Sequence, residues 1–251
     1  MDIVLWNQSS RLEDSDGQLI ADACDLQMQE DVAPAYGLQP SPRVSFLPHT
    51  ARLEELPENC LVIIFAEDPR EAVNAAGYQT PPDRTTRDWD AGGRNFARVY
   101  PGTILDNEGK ISTGARSISA AAAHEYMEGH HDRNVAQWVW NENARKLVAA
   151  EVCDPVEEDA YSKRIGDQDV AVSNFVYPAW FDARAPADSR FDHLGLLKAP
   201  FSCSEGGYLI VYDPKRPQEK VHTEPPQEDV PGWNDRIKLE GFARTRVRLV
   251  W

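Results

Sequence analysis

His124, Glu125, Glu128 and Asp132 fall within one short stretch, SAAAAHEYMEGHHD at 119–132, and their types and spacing suit metal-assisted chemistry. Residues four apart share a face of a helix, so His124, Glu128 and Asp132 project together and Glu125 stands one residue toward a flank. One turn thereby brings an imidazole and a carboxylate to a single ion. The carboxylate after the His is placed to take a proton from water at that ion. The second ligand position holds Glu128 where the HExxH pattern has His. Carboxylate ligation is compatible with zinc, and it also admits the harder ions calcium and manganese. The expectation is one divalent metal, with zinc favoured.

Short His/Glu patterns arise by chance on solvated helix faces, so a second acidic cluster matters. Glu151, Asp154 and Glu157 recur at intervals of three in EVCDPVEEDAY at 151–161. A third protein ligand from this cluster would leave a coordination position open for water. Glu151 is the favoured third ligand, and Asp154 is its substitute. Cys153, between the two, is read as a buried small side chain in preference to a thiolate ligand. His130 and His131 stand six and seven residues beyond His124 and are expected at the surface or behind the ligands. Tyr161 is the candidate donor to a developing oxyanion, competing with a plain packing role.

These residues need elements to hold them. Ala120 to Ala123 favour a helix that begins near 115–119 and runs to about 132, its second half weakened by Gly129. Residues 135–150 are expected to form a second helical segment through Trp138, Val139, Leu147 and Val148, delivering Glu151 at its end, with Pro155 stopping it. Before the motif, residues 2–6 and 43–47 read as strands, 17–31 as a helix broken afterwards by Pro34, and CLVIIF at 60–65 as a central strand covered on both faces. Residues 96–100 alternate like a half-buried strand. A surface loop is expected at 79–94. Beyond the site, 170–180 reads as a strand and an aromatic turn, LIVYD at 209–213 as a strand, 213–235 as an extended connection, and ARTRVRLVW at 243–251 as an exposed strand.

Taken in order, NQSS at 7–10, AAGY at 75–78, HEYMEGHHD at 124–132, EVCDPVEEDAY at 151–161, VSNFVYPAWFD at 172–182 and PFSCSEGGY at 200–208 resemble a largely uncharacterised bacterial and viral family with zincin-like metallopeptidase character. The resemblance implies His124 and Glu128 as ligands and Glu125 as the base. A likeness to zincins that draw a third ligand from a second helix implies Glu151 there, with Asp154 as its partner. The fold expected is a single α/β domain over 1–251, with a mixed sheet, a zincin-like motif helix packed across it, and an irregular, partly β carboxy-terminal half. The activity expected is amide hydrolysis on a peptide or protein substrate. The other reading is an inactive, metal-stabilised structural or interaction protein, including a viral particle component.

Composition narrows the partners. Forty-one acidic against 26 basic residues give a formal charge of -15, which disfavours nucleic acid. The mean hydropathy of -0.54, and the lack of a long apolar run or a basic leader before IVLW, predict no membrane span and no standard secretory signal. A cytoplasmic location follows as an expectation, or a virion-associated one if the source is viral. The four cysteines form no CxxC and are expected to be reduced thiols.

Overall fold

Apolar runs such as IVLW and CLVIIF need cover on both faces, and parallel pairing provides it. In the computed structural model, which describes residues 1–67, 76–80, 94–133, 135, 137–215, 222–225 and 248–249, β1 (Asp2–Asn7) lies between β2 (Val44–Leu47) and β3 (Cys60–Phe65). The edge strand β4 (Gly77–Thr80) runs antiparallel to β5 (Asn95–Val99), and the sheet order is β2-β1-β3-β5-β4. The other pairings are parallel, so the sheet is mixed. Its register opposes Leu5 to Ile63 and Ile63 to Ala97. Ile3, Leu5, Leu61, Ile63, Phe65, Ala97 and Val99 thereby join the main core, while Val4, Trp6, Val62, Ile64 and Phe96 form a second cluster with Leu56.

Two helices lie on the main-core face. α1 (Asp14–Gln27) has Asp14 and Asp16 in its first turn, where acidic groups suit the helix dipole. It continues through a π-turn, Met28–Val32, into α2 (Ala33–Tyr36). Pro34 therefore does not break the helix as expected, because it sits in the first turn of α2, where its missing N–H costs little. The chain turns only at Gly37, whose φ of 64° is the left-handed conformation that glycine adopts without strain. After the short α3 (Pro101–Asp106), α4 (Ile118–His131) carries the motif. The Ser117 hydroxyl caps it by accepting from the Ala120 N–H at 3.1 Å, and the helix passes through Gly129 without a break. Buried Ala122 and Ala123 let α4 approach the sheet closely.

The expected helix at 135–150 is a hairpin instead, β6 (Gln137–Asn141) with β7 (Lys146–Ala149). The physical reason is local. Alternation through Trp138, Val139 and Trp140 suits a pleated strand, and Asn141 builds the turn by accepting from the N–H groups of Asn143 and Ala144. Two further pieces follow, the hairpin β8 (Ala160–Ile165) and β9 (Gln168–Ser173), and the strands β10 (Leu209–Tyr212), β11 (His222–Glu224) and β12 (Arg248–Leu249). A second sheet has the order β11-β10-β7-β6-β12. β9 packs on α4.

The molecule is thus an α/β protein with several sheets. Most of the loop expected at 79–94 lies outside the described residues, although its first two residues end β4. The connection expected at 213–235 lies largely outside them too, and its described part includes β11. The strand expected at 243–251 is described only at β12. Among the described residues, no helix is long and apolar enough to cross a membrane.

Candidate metal centre

The centre is built where α4 meets the turn that follows β7. That turn is a short 3₁₀ segment, Asp154–Val156, with Pro155 inside it. Reversal of the chain there aims the N–H groups of Cys153 and Asp154 at Glu128, and each donates to Oε1 at 3.3 Å. A second loop holds the turn from outside. The Ser204 N–H donates to the Pro155 carbonyl at 3.0 Å, and the Tyr208 N–H donates to the Asp154 carbonyl at 2.9 Å. A side chain at Gly207 would put its Cβ 2.1 Å from the Pro155 oxygen, so only glycine allows this approach.

Within this frame, His124 Nε2 lies 3.2 Å from Glu128 Oε2 and 3.4 Å from Asp154 Oδ1. Ligand atoms of His124, Glu128 and Cys153 all lie within 4.8 Å of one another. Zinc bonds to nitrogen and oxygen of about 2.0–2.2 Å imply tetrahedral edges of roughly 3.3–3.6 Å. The His124 separations of 3.2 and 3.4 Å match that edge closely. His124, Glu128 and Cys153 could together hold a metal ion. Glu128 and Cys153 are fully buried, whereas the His124 side chain keeps 15% of its surface exposed and marks the side nearest solvent.

Electrostatics agree with the geometry. Burial disfavours the His124 cation, but Glu128 and Asp154 outweigh it and hold the imidazolium well above its ordinary range. Burial pushes the Cys153 thiol well up, opposed by His124. A cation arriving here would replace a proton on each of them. Glu157, at the outer end of the turn, has its carboxyl pushed up to about 7 by desolvation, opposed by His124 and reinforced by Asp154 and Glu128.

Of the residues singled out in sequence, His124, Glu128 and Asp154 come together. Glu151 is buried nearby in sequence but is not among the three whose ligand atoms converge; Cys153 takes that place. The available signal was Pro155, which forces the turn that brings Cys153 and Asp154 onto Glu128. Glu125 is buried against the edge strand. A Cβ added at Gly77 would come within 2.7 Å of its Oε1. Asp132 caps the end of α4 and accepts from the Gln137 N–H at 2.7 Å, tying the helix to β6. The Tyr161 hydroxyl donates to Asp31 at 2.7 Å and accepts from Gln27 at 3.0 Å. Gln27 also accepts from Tyr126, and Lys163 pairs with Asp31, so Tyr161 belongs to a polar network centred on α1.

On a neighbouring face of α4 there is a cavity of about 160 Å³, lined by Val32, Tyr36, Leu38, Met127, His130, His131, Val152 and Phe175. Burial pushes both imidazoles down to about 4, with the chain's amino terminus and Arg133 contributing at His130 and His130 itself contributing at His131. They are neutral near pH 7. No family model, curated protein or solved structure matches this chain; the structure itself supplies a largely buried His/Glu/Cys cluster able to hold a metal ion.

Proposed function

We propose that the protein is a zinc-dependent hydrolase that cleaves an amide bond in a peptide or protein. The observation that carries this reading is the convergence of His124 and Glu128 of α4 with Cys153, Glu125 being next in sequence to His124. A thiolate among the donors favours zinc over calcium or manganese. When bound, the ion would polarise the substrate carbonyl and make water a better nucleophile near neutral pH.

The chain's own groups would do the rest. His124, Glu128 and Cys153 would hold the ion, and the N–H donors of Cys153 and Asp154 orient Glu128. Glu125 would accept a proton from the attacking water and pass it to the departing amine as the C–N bond breaks. What supports Glu125 in this role is its place directly after His124 on α4; its burial against Gly77 of the edge strand β4 counts toward a structural role instead. An extended polypeptide can add to such an edge through main-chain hydrogen bonds. The resemblance to zincin-like proteins favours the hydrolase.

Asp154 favours a second reading. It is a fourth donor within 3.4 Å of His124, and with Glu128 and Cys153 fully buried it would close a structural zinc site. The deciding experiment joins occupancy to turnover. The full chain, loaded with zinc, is expected to cleave members of a diverse peptide library, and Glu125→Gln is expected to abolish cleavage while keeping zinc stoichiometry. Complete inactivity of the fully loaded, unaltered chain would assign the site to structure.

A further inference from the structure

We propose that the cavity beside the metal centre is a binding site for an uncharged aromatic ring, presented by the side chain of a polypeptide. Its size sets the scale. At about 160 Å³ it is comparable to an engineered apolar cavity of about 150 Å³ that takes up benzene. Its floor is buried and apolar, formed by Val32, Met127, Val152 and Phe175, while the half-buried Tyr36, Leu38, His130 and His131 form the rim. Among the described residues, no Asp, Glu, Lys or Arg lines it. A charged ligand would lose its hydration there with no ionic partner among these lining residues in return.

The walls favour a ring over an aliphatic chain. Tyr36 is fixed by donating its hydroxyl hydrogen to the Val176 carbonyl, and its ring lies 5.2 Å from that of His131 at a tilt of 59°. His131 in turn stacks on Phe181 at 5.6 Å. Phe175 stands 6.4 Å from Tyr36 at 33°. These are held rings at mixed angles, which a further ring can meet edge-on or offset.

The choice of a polypeptide as the source rests on the hydrolase reading. Met127 immediately precedes Glu128, and Val152 immediately precedes Cys153. The cavity and the cluster therefore draw on neighbouring positions of α4 and of the connection that follows β7. A residue seated in the cavity would have its main chain at the rim, over His131, which shares a face of α4 with Glu128 and His124 three and seven residues before it, and would select substrates with an aromatic residue near the cleaved bond.

The test is a titration of the full chain followed by NMR of the Met127 methyl and the His130 and His131 rings, with zinc and again with chelator. The probes are p-cresol, benzoate, benzylammonium, isobutanol and N-acetyltyrosine amide. One saturable site is expected for p-cresol and N-acetyltyrosine amide, with benzoate, benzylammonium and isobutanol weaker by at least roughly tenfold. Tighter binding of the tyrosine amide than of p-cresol supports the polypeptide source; tighter p-cresol binding assigns the site to a free small aromatic and overturns that source. Val152→Phe, which fills the floor, and Leu38→Asp, which charges the half-exposed rim, are each expected to weaken p-cresol more than roughly tenfold. The absence of saturable binding, or binding unchanged in whichever variant folds, overturns the site. Because the chelator arm does not depend on metal, failure to take up zinc would sink the hydrolase reading without altering this result.

Discussion

Cys153 is the side chain that most sharply separates one metal from another, since thiolate ligands select zinc and oxygen ligands do not. Cobalt loading of the unaltered chain is expected to give a sulfur-to-metal charge-transfer band. Cys153→Ser should abolish that band and weaken zinc by more than roughly 100-fold, because loss of an outer partner alone costs about 10–100-fold. Glu151→Gln, outside the converging set, should leave zinc affinity nearly unchanged, as read by competition with a chromogenic chelator. His130 and His131 carry a separate expectation. Both are pushed from 6.5 down to about 4, so between those values the unfolded chain binds more protons than the folded one. Their contribution is therefore fully present above pH 6.5 and is lost as pH falls toward 4. Urea denaturation across that window should show stability rising with pH, with a shallower rise in His131→Phe.

At the scale of elements, two close backbone approaches set the site. The 204–208 loop locks the 3₁₀ turn through Gly207, where an added Cβ would lie 2.1 Å from the Pro155 oxygen. Gly207→Ala is expected to cost about 1–3 kcal/mol, as other overpacked sites do, and to weaken zinc as the turn loses its aim at Glu128. Chemical denaturation and metal titration of the same sample would show both effects. Gly77 meets α4 from the opposite side, and its substitution would press on the Glu125 carboxylate and the Arg98 carbonyl. Gly77→Ala should lower peptide turnover while leaving zinc stoichiometry intact. Equal losses of both would place Gly77 in the support of the metal cluster instead of beside the proton acceptor.

For the whole molecule, the centre joins parts distant in sequence. It ties α4 to the chain that leaves β7 through Glu128, and the loop at 204–208 pins that chain's turn. An ion that binds only the folded chain stabilises all of it by mass action, about 2.7 kcal/mol at free zinc one hundred times its dissociation constant. For a chain of this size each kcal/mol moves the midpoint by roughly 2–4 °C. Thermal unfolding with zinc is therefore expected several degrees above that in chelator, and Cys153→Ser should erase the difference.

What sequence alone determined here is what short-range geometry fixes. An i,i+4 pair shares a helix face wherever the helix goes, so His124 and Glu128 were legible as partners, and they lie 3.2 Å apart. A run such as CLVIIF, apolar at every position, is stable only with both faces covered, which made β3 legible as a central strand. The hairpin β6–β7 was written locally too, in the alternation of its tryptophans and in Asn141, but its apolar residues also fit a helical spacing. Tertiary structure decided the rest. Whether Glu151 or Cys153 faces His124 depends on how the chain leaves β7 and on a loop some fifty residues later that pins the turn at Pro155. Tyr161 meets its acceptor Asp31 across 130 positions of sequence, and Glu125 meets β4 only because α4 lies across the sheet. Such contacts follow from packing between elements, which no local periodicity encodes.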